Sequence, residues 1–456
     1  MTQLPAAFTE ITRQLMGEER FERYLQSFEE EPPVSIRVNP RKMAEGKWKI
    51  DDGTPVPWCR NGYYLQKRPN FTMDPLLHAG CYYVQEAASM FLDEVLKTLL
   101  QPLPEMEGSN YTQEQPLSSP LPVREGLGVS LDLCAAPGGK STLLRSALPE
   151  DCVLYSNEPI RNRANILLEN VTKWGYENHI VTNNYPKDYR KSKMKFDLIL
   201  CDVPCSGEGM FRKDPATISE WSPQNVEKCW QLQREIVDDA WACLNPGGVL
   251  IYSTCTFNTK ENEENIRYFL EQYDDMEVVP VDIKPEWNIT ASLLDGFHEP
   301  VYRFIPGITR SEGLFMCVLR KKEEALPHPL LPPKGRSVAR NPVKEGSKKT
   351  PKGHKGKEES TFNTLYPPPS QGGAGGESLN LSYQQAIAYL RHEALVLPED
   401  TPRGLVTVCF QGHPLGLVKN IGTRANNLYP KEWKIKTTHI PQDYEAILRH
   451  TESNTD

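Results

Sequence analysis

Leu131-Asp-Leu-Cys-Ala-Ala-Pro-Gly-Gly-Lys140 is the stretch that decides the fold of this chain. Its apolar positions predict a short strand over 131–134. Ala135, Ala136, Pro137, Gly138 and Gly139 predict a tight turn, and Ser141-Thr-Leu-Leu-Arg-Ser-Ala147 predicts a helix. Glycines after a strand let backbone approach a ligand where a Cβ would stand in the way. A helix start then presents unpaired N–H groups to a negative or polar group. Such a strand–turn–helix fits many nucleotide-type ligands, so what narrows it lies downstream.

Outward from that stretch, apolar runs alternate with helical periodicity as far as residue 320. Strands are expected at 131–134, 153–156, 180–182, 196–201, 249–253 and 314–320, and helices at 141–147, 161–174, 224–244 and 261–273. Unbroken apolar strands between helices imply a sheet covered on both faces, hence a doubly wound α/β domain. Ligands of such sheets sit outside the carboxyl ends of the strands. Each strand tail here carries something polar.

The flanks differ in composition. Leu4, Phe8, Ile11 and Leu15 share one helical face, as do Phe21, Tyr24, Leu25 and Phe28, while Ser35-Ile-Arg-Val-Asn39 and Tyr63-Tyr-Leu-Gln-Lys-Arg68 alternate like strands. A small α+β domain is therefore expected over residues 1–75. Its basic and aromatic set (Arg37, Arg41, Tyr63, Tyr64, Lys67, Arg68) suits either an RNA-facing surface or a solvated sheet face. His78 to Glu86 leads into a helix over 87–100. Residues 101–129 have many breakers and no period, and read as an insertion ahead of the first sheet strand. Residues 323–378 read as a basic and Pro/Gly linker; nine Lys/Arg stand against the single acid Glu345 between Lys334 and Lys357. A helix after Ser382 and a hairpin of 405–410 with 415–419 predict a small β-rich domain over 379–456.

The chain of 456 residues is too long for one ordinary domain. No run approaches the roughly 18 apolar residues of a membrane span, and Met1-Thr-Gln-Leu-Pro5 does not resemble a secretory signal. Eleven scattered cysteines without a Cys-x-x-Cys pair indicate neither a zinc site nor a disulfide framework, so a reducing cytoplasm is expected. The net charge of −8 weighs against nucleic-acid binding in general, but the basic run offsets it locally.

Three strand tails carry the candidate chemistry. Glu158 follows the second strand, where an acid can accept hydrogen bonds from ribose hydroxyls or favour a helix N-terminus. The fourth strand ends in Cys201-Asp-Val-Pro-Cys-Ser-Gly207 and the fifth in Ser253-Thr-Cys255. Neighbouring strands therefore present Cys205 and Cys255 beside one cleft, with Asp202 at hand. No Ser/His/Asp arrangement is evident, and Pro-Gly-Gly lacks the spaced glycines of dehydrogenases.

In combination, Cys134-Ala-Ala-Pro-Gly-Gly-Lys140, Asp202-Val-Pro-Cys-Ser-Gly207, Ser253-Thr-Cys255, Ser35-Ile-Arg-Val-Asn-Pro40 and His78-Ala-Gly-Cys-Tyr-Tyr-Val-Gln-Glu86 resemble the Sun/Nop family of RNA cytosine-C5 methyltransferases. The tail, with Gly412-His-Pro-Leu-Gly-Leu-Val-Lys419, Asn427-Leu-Tyr-Pro430 and Trp433, is similar to the PUA-like RNA-binding domain of that family's ribosomal RNA members. The resemblance implies a Rossmann-like S-adenosyl-L-methionine-dependent core over 76–322, flanked by RNA-binding domains. It implies that Cys255 attacks the base, Cys205 assists release, and Asp202 lies near cytosine N3. The residues alone leave the attacking cysteine open, because DNA cytosine methyltransferases use the Pro-Cys cysteine. Residues 134–140, Glu158, Arg163 and Asp202 are expected to hold the cofactor, with Asn184 where relatives carry an adenine-contacting acid. Small-subunit ribosomal RNA is the expected substrate, with transfer RNA or a non-catalytic assembly role as alternatives. No metal and a monomeric state are expected.

Overall fold

The computed structural model describes residues 3–100, 128–323, 378–437 and 439–451. The expected basic run, and nearly all of the expected linker and insertion, lie outside these residues; Val129 already opens one strand and Ser378 another.

The N-terminal sheet has the order β3-β4-β1-β5, from β1 (Val34–Val38), β3 (Thr54–Pro55), β4 (Gly62–Leu65) and β5 (Tyr82–Val84); β2 (Trp48–Lys49) stands apart. β5 pairs antiparallel with β1 through Val38 and Tyr82, so this sheet continues past the boundary expected at residue 75. The two opening helices, Ala6–Met16 and Glu18–Gln26, pack away from it. Phe8, Phe21 and Tyr24 form a core with Phe211, Trp221 and Phe257 of the central domain.

The central sheet comprises β6 (Val129–Asp132), β7 (Val153–Asn157), β8 (His179–Thr182), β9 (Phe196–Asp202), β10 (Leu244–Thr254), β11 (Met276–Val278), β12 (Tyr302–Phe304) and β13 (Leu314–Lys321). Its order is β8-β7-β6-β9-β10-β13-β11, with β12 also on β13. β6 to β10 are parallel; β13 runs antiparallel to its neighbours. Helices Gly139–Ala147, Arg161–Trp174, Pro186–Ser192 and Pro223–Cys243 connect the parallel strands. Along β9, Leu198 and Leu200 enter one core layer while Ile199 and Cys201 enter the other, the alternation required of a strand covered on both faces. β6 has β7 on one side and β9 on the other. The connections diverge there, which opens a crevice at the carboxyl ends of these strands.

The N-terminal domain seats on the end of helix Arg161–Trp174. Asn39 Nδ2 donates to Trp174 O at 2.9 Å and Lys42 Nζ to Lys173 O at 2.6 Å, a cation at the negative end of the helix dipole. Gly80 has φ +69°, and a Cβ on it would lie 1.8 Å from Lys173 O, so no side chain fits this approach.

The C-terminal domain joins β14 (Ser378–Asn380), β15 (Gly404–Phe410), β16 (His413–Asn420) and β17 (Ala425–Asn427) in sequence order, beside helix Tyr383–Leu390. Ser382 and Gln385 start that helix with a reciprocal capping box. The domain shares one continuous core with the N-terminal sheet, Ile36 and Leu76 packing in the same cluster as Ile387 and Val408. β18 (Arg449–His450) pairs with β2. The two end domains thus form one body beside the central sheet.

Candidate active site

The turn after β6 is held from outside. Ala135 N–H donates to Asn157 O at 2.8 Å, and the Ala136–Pro137 peptide is cis. Arg163 Nη2 donates to Ala136 O at 3.0 Å and Asn170 Nδ2 to Pro137 O at 2.8 Å. Gly138 takes φ +115°, and a Cβ there would meet Leu167 at 3.2 Å; on Gly139 it would meet Tyr83 at 3.3 Å. The glycines therefore answer first to the turn's own backbone and packing, not solely to the approach of a ligand. Helix Gly139–Ala147 begins without a side-chain cap, so its first N–H groups are not met by a cap.

Arg37 was expected on an RNA-facing or solvated surface. It is instead 2% exposed, lies 4.4 Å over the Trp174 ring, and donates to Gln85 Oε1 at 2.8 Å, Thr142 Oγ1 at 2.6 Å and Gly139 O at 3.2 Å. It ties the N-terminal sheet to the turn. Burial lowers its pKa to about 10. Tyr64 is also buried, its hydroxyl donating to Arg310 O at 2.7 Å; Lys67 and Arg68 remain exposed.

Asp132 closes β6. Its Oδ2 accepts from Ser141 Oγ at 2.5 Å, while Oδ1 is buried with no hydrogen-bond partner among the described residues. Burial, partly offset by that hydroxyl, raises its pKa to about 7. Burial also holds the Cys134 thiol well above its ordinary value. Glu158 is buried after β7; Oε1 accepts the Ile160 N–H at 2.9 Å and Oε2 lies 3.4 Å from Arg163 Nη1. Arg163 thus bridges Glu158 and the turn. Asn184 is exposed after β8, with its backbone held by the Asn157 side chain.

Asp202, Cys205 and Cys255 come together with this turn. Asp202 Oδ2 accepts from Lys140 Nζ at 2.8 Å and Oδ1 from Ser253 Oγ at 2.6 Å. Burial alone would lower the Lys140 pKa, but the charge and hydrogen bond of Asp202 leave it raised. Parallel pairing sets Ser253 beside Asp202, so both cysteines emerge at one sheet end. Their Sγ atoms are 3.1 Å apart, and the Cys255 N–H lies 3.3 Å from Cys205 Sγ. The hydrogen bond with Cys255, followed by burial, pushes the Cys205 thiol well above its ordinary value.

Two carboxylates that sequence reasoning passed over staple the cysteine loops. Glu208 Oε2 accepts the N–H groups of Phe257 and Asn258 at 2.7 and 2.9 Å, and Oε1 accepts Trp221 Nε1 at 2.9 Å. Glu261 Oε2 accepts Ser206 N–H at 3.0 Å and Gln233 Nε2 at 2.7 Å, and its Oε1 accepts Asn258 Nδ2 at 2.8 Å. The available signal was an acid three residues after Cys205 and another six after Cys255. No group of three or more His, Cys, Asp or Glu among the described residues suits a metal ion, and no described helix is long and apolar enough to cross a membrane.

Comparison with known proteins gives this geometry a family. The chain matches the family models for 16S rRNA methyltransferase RsmB/F over residues 122–320, the N-terminal domain of 16S rRNA methyltransferase RsmF over 4–87, and the methyltransferase RsmF PUA domain over 377–435. Ribosomal RNA small subunit methyltransferase F of Erwinia tasmaniensis is 27% identical, across 94% of this chain and 96% of its own. That of Cronobacter sakazakii is 29% identical with the same coverage. Among solved structures, a methyltransferase homolog protein from Pyrococcus horikoshii is 26% identical with TM-score 0.54, covering 69% of this chain and 94% of that one. NSun6 from the same organism shares the fold at 19% identity and TM-score 0.53, over 70% of this chain and 99% of that one. With three domains of one family met in order along a Rossmann-like core, the chain belongs to the RsmB/F family of rRNA methyltransferases.

Proposed function

We propose that this protein methylates C5 of a cytosine in small-subunit ribosomal RNA, using S-adenosyl-L-methionine and a transient bond between Cys255 and the base. The observation that carries this reading is the pair of thiols at the ends of two adjacent parallel strands, 3.1 Å apart, with Asp202 beside them.

Cytosine C5 is too weak a nucleophile to attack a methyl sulfonium. Addition of the Cys255 thiolate to C6, with a proton gained at N3, breaks the aromatic system and leaves C5 enamine-like. In this reading Asp202 holds that proton near N3, its carboxylate oriented by Ser253 and Lys140. S-adenosylmethionine supplies the methyl group as a sulfonium. Loss of the C5 proton then restores the ring as the C6–S bond breaks, and Cys205 assists that release.

The residues at the ends of β6 and β7 fit the cofactor. The uncapped helix start suits its carboxylate. Asp132 Oδ1 is an acceptor without a partner among the described residues, and suits an ammonium group. Glu158 suits the ribose hydroxyls. The target base must leave any stack to enter this crevice, and the end domains supply backbone and shape contacts.

Cys255→Ala is expected to abolish labelled methyl transfer to ribosomal RNA, by at least about 1,000-fold, while leaving cofactor affinity nearly unchanged. Full activity in that variant sinks the reading. Bisulfite sequencing of ribosomal and transfer RNA from cells with and without the protein identifies the substrate; a mark lost only from transfer RNA overturns the ribosomal assignment.

A further inference from the structure

The segment just ahead of β13 lies at the same end of the central sheet as the two thiols. β13 is antiparallel to β10 and pairs Phe315 with Thr254, so residues 307–313 arrive beside the loop that begins with Cys255. The approach is close. A Cβ on Gly209 would lie 2.6 Å from Gly313 Cα and 2.7 Å from Cys255 O, and the Gly209 N–H donates to that same oxygen at 2.7 Å. Next to this contact, a cleft of about 400 Å³ opens between residues 307–311, Arg212, and segments 30–34 and 65–68 of the N-terminal region.

Four cations line the cleft, Lys67, Arg68, Arg212 and Arg310, against two acids, Glu30 and Glu31. Arg68 and Arg310 are exposed, and each lies over an aromatic ring, Phe71 at 5.5 Å and Tyr64 at 4.2 Å. Stacking orients a guanidinium while leaving its in-plane donors for a phosphate. Arg310 spends one donor on Thr54 Oγ1 at 3.3 Å. The Arg212 side chain is 5% exposed and lies 3.2 Å from Glu312, with Nη2 3.4 Å from Glu30 O. Its Nε and the buried Ser311 hydroxyl, on the same wall, have no hydrogen-bond partner among the described residues. Exposed, ring-stacked guanidinium groups at an open cationic cleft suit phosphate oxygens, and the volume lies in the range that admits a small ligand, on the order of 300–1,000 Å³.

We infer that this cleft binds the sugar–phosphate backbone of single-stranded RNA next to the reacting cytosine. Arg68 and Arg310 meet phosphate oxygens at its mouth, while Arg212 stays paired with Glu312 in its wall. The inference rests on the RNA-methylation reading above and assigns the path of the flanking strand.

The test is the double variant Arg68→Gln/Arg310→Gln, which leaves a polar side chain at both positions but removes both charges. Binding of a fluorescent single-stranded fragment of small-subunit ribosomal RNA is followed by anisotropy across a salt series, with kcat and KM for the same fragment. RNA affinity is expected to fall about 10-fold or more, and the slope of log affinity against log salt by about two. KM for RNA rises more than kcat falls, and cofactor affinity is unchanged. Unaltered RNA affinity and KM overturn the inference. So does an equal loss from the control Lys187→Gln/Lys191→Gln, on helix Pro186–Ser192 outside the cleft. Wild-type protein that methylates no RNA sinks the underlying activity instead; wild-type transfer with an unaffected double variant sinks only the cleft.

Discussion

The turn after β6 and the two cysteine loops after β9 and β10 lie at one end of one sheet, yet they are held in opposite ways. The turn is gripped by residues from elsewhere: Arg37 from the N-terminal sheet, and Arg163 and Asn170 from the next helix. The cysteine loops are held mainly from within, by carboxylates a few residues beyond each cysteine. The geometry of the turn thus depends on how the N-terminal domain docks. Thiol geometry depends on a buried local network. Damage to either should separate binding from chemistry.

The largest separation is expected at Cys205. Cys205→Ala should let the first bond form and block release, so a covalent protein–RNA species resistant to denaturant accumulates on a gel while turnover falls by at least about 100-fold. Clean turnover without adduct contradicts its part in release. Glu208→Ala leaves the Phe257 and Asn258 N–H groups and the Trp221 indole without their acceptor. Buried donors stranded in this way cost about 1–3 kcal/mol each, so the variant should lose about 3 kcal/mol in urea denaturation, with kcat falling more than cofactor affinity. An undisturbed kcat would show that the staple does not serve the thiols.

Arg37→Ala tests the opposite half. It removes the donor to Gly139 O and Thr142 Oγ1, so cofactor affinity should fall about 10-fold, or about 1.4 kcal/mol. Calorimetry on the protein without RNA reads this directly, and equal losses in Arg37→Ala and Glu208→Ala would erase the contrast. The last contrast is read in pH dependence and concerns Asp132, whose pKa is raised by burial from 3.8 to about 7 in the folded protein. The folded state binds this proton more tightly than the unfolded chain. The associated stability is therefore full below about pH 4 and is lost as pH rises through about 7. Asp132→Asn does not titrate, so its stability relative to wild type should improve between about pH 4 and 7 and level off above. A difference independent of pH would show that the buried carboxyl titrates normally.

Much of the central domain was legible. The six strands expected from apolar runs all form, most within two residues of their expected ends, because strands buried on both faces leave a continuous apolar signal. The predicted strand at 249–253 is longer in the structure because Leu244 also pairs with Phe196, across a register shift that includes Gly247 and Gly248. β11 and β12 were not foreseen, being three residues each and too short to show a period. Cys205, Cys255 and Asp202 were picked out because each ends a strand whose neighbour could be guessed. Glu208 and Glu261 were passed over because an acid in a loop ordinarily reads as solvated; only closure of the two loops surrounds them with donors.

Hydrophobic period and turn chemistry are local properties, so the covered sheet, the crevice at its strand ends and the residue types that meet there are legible in the amino acids alone. Tertiary structure alone decided which polar residues face water. Arg37 alternates with apolar neighbours like any residue on an exposed sheet face, but a second domain occupies that space, and its guanidinium becomes the strut of the turn. Burial depends on what arrives from far along the chain, and residues separated by 102 positions, as Arg37 and Gly139 are, leave no periodic trace of their meeting.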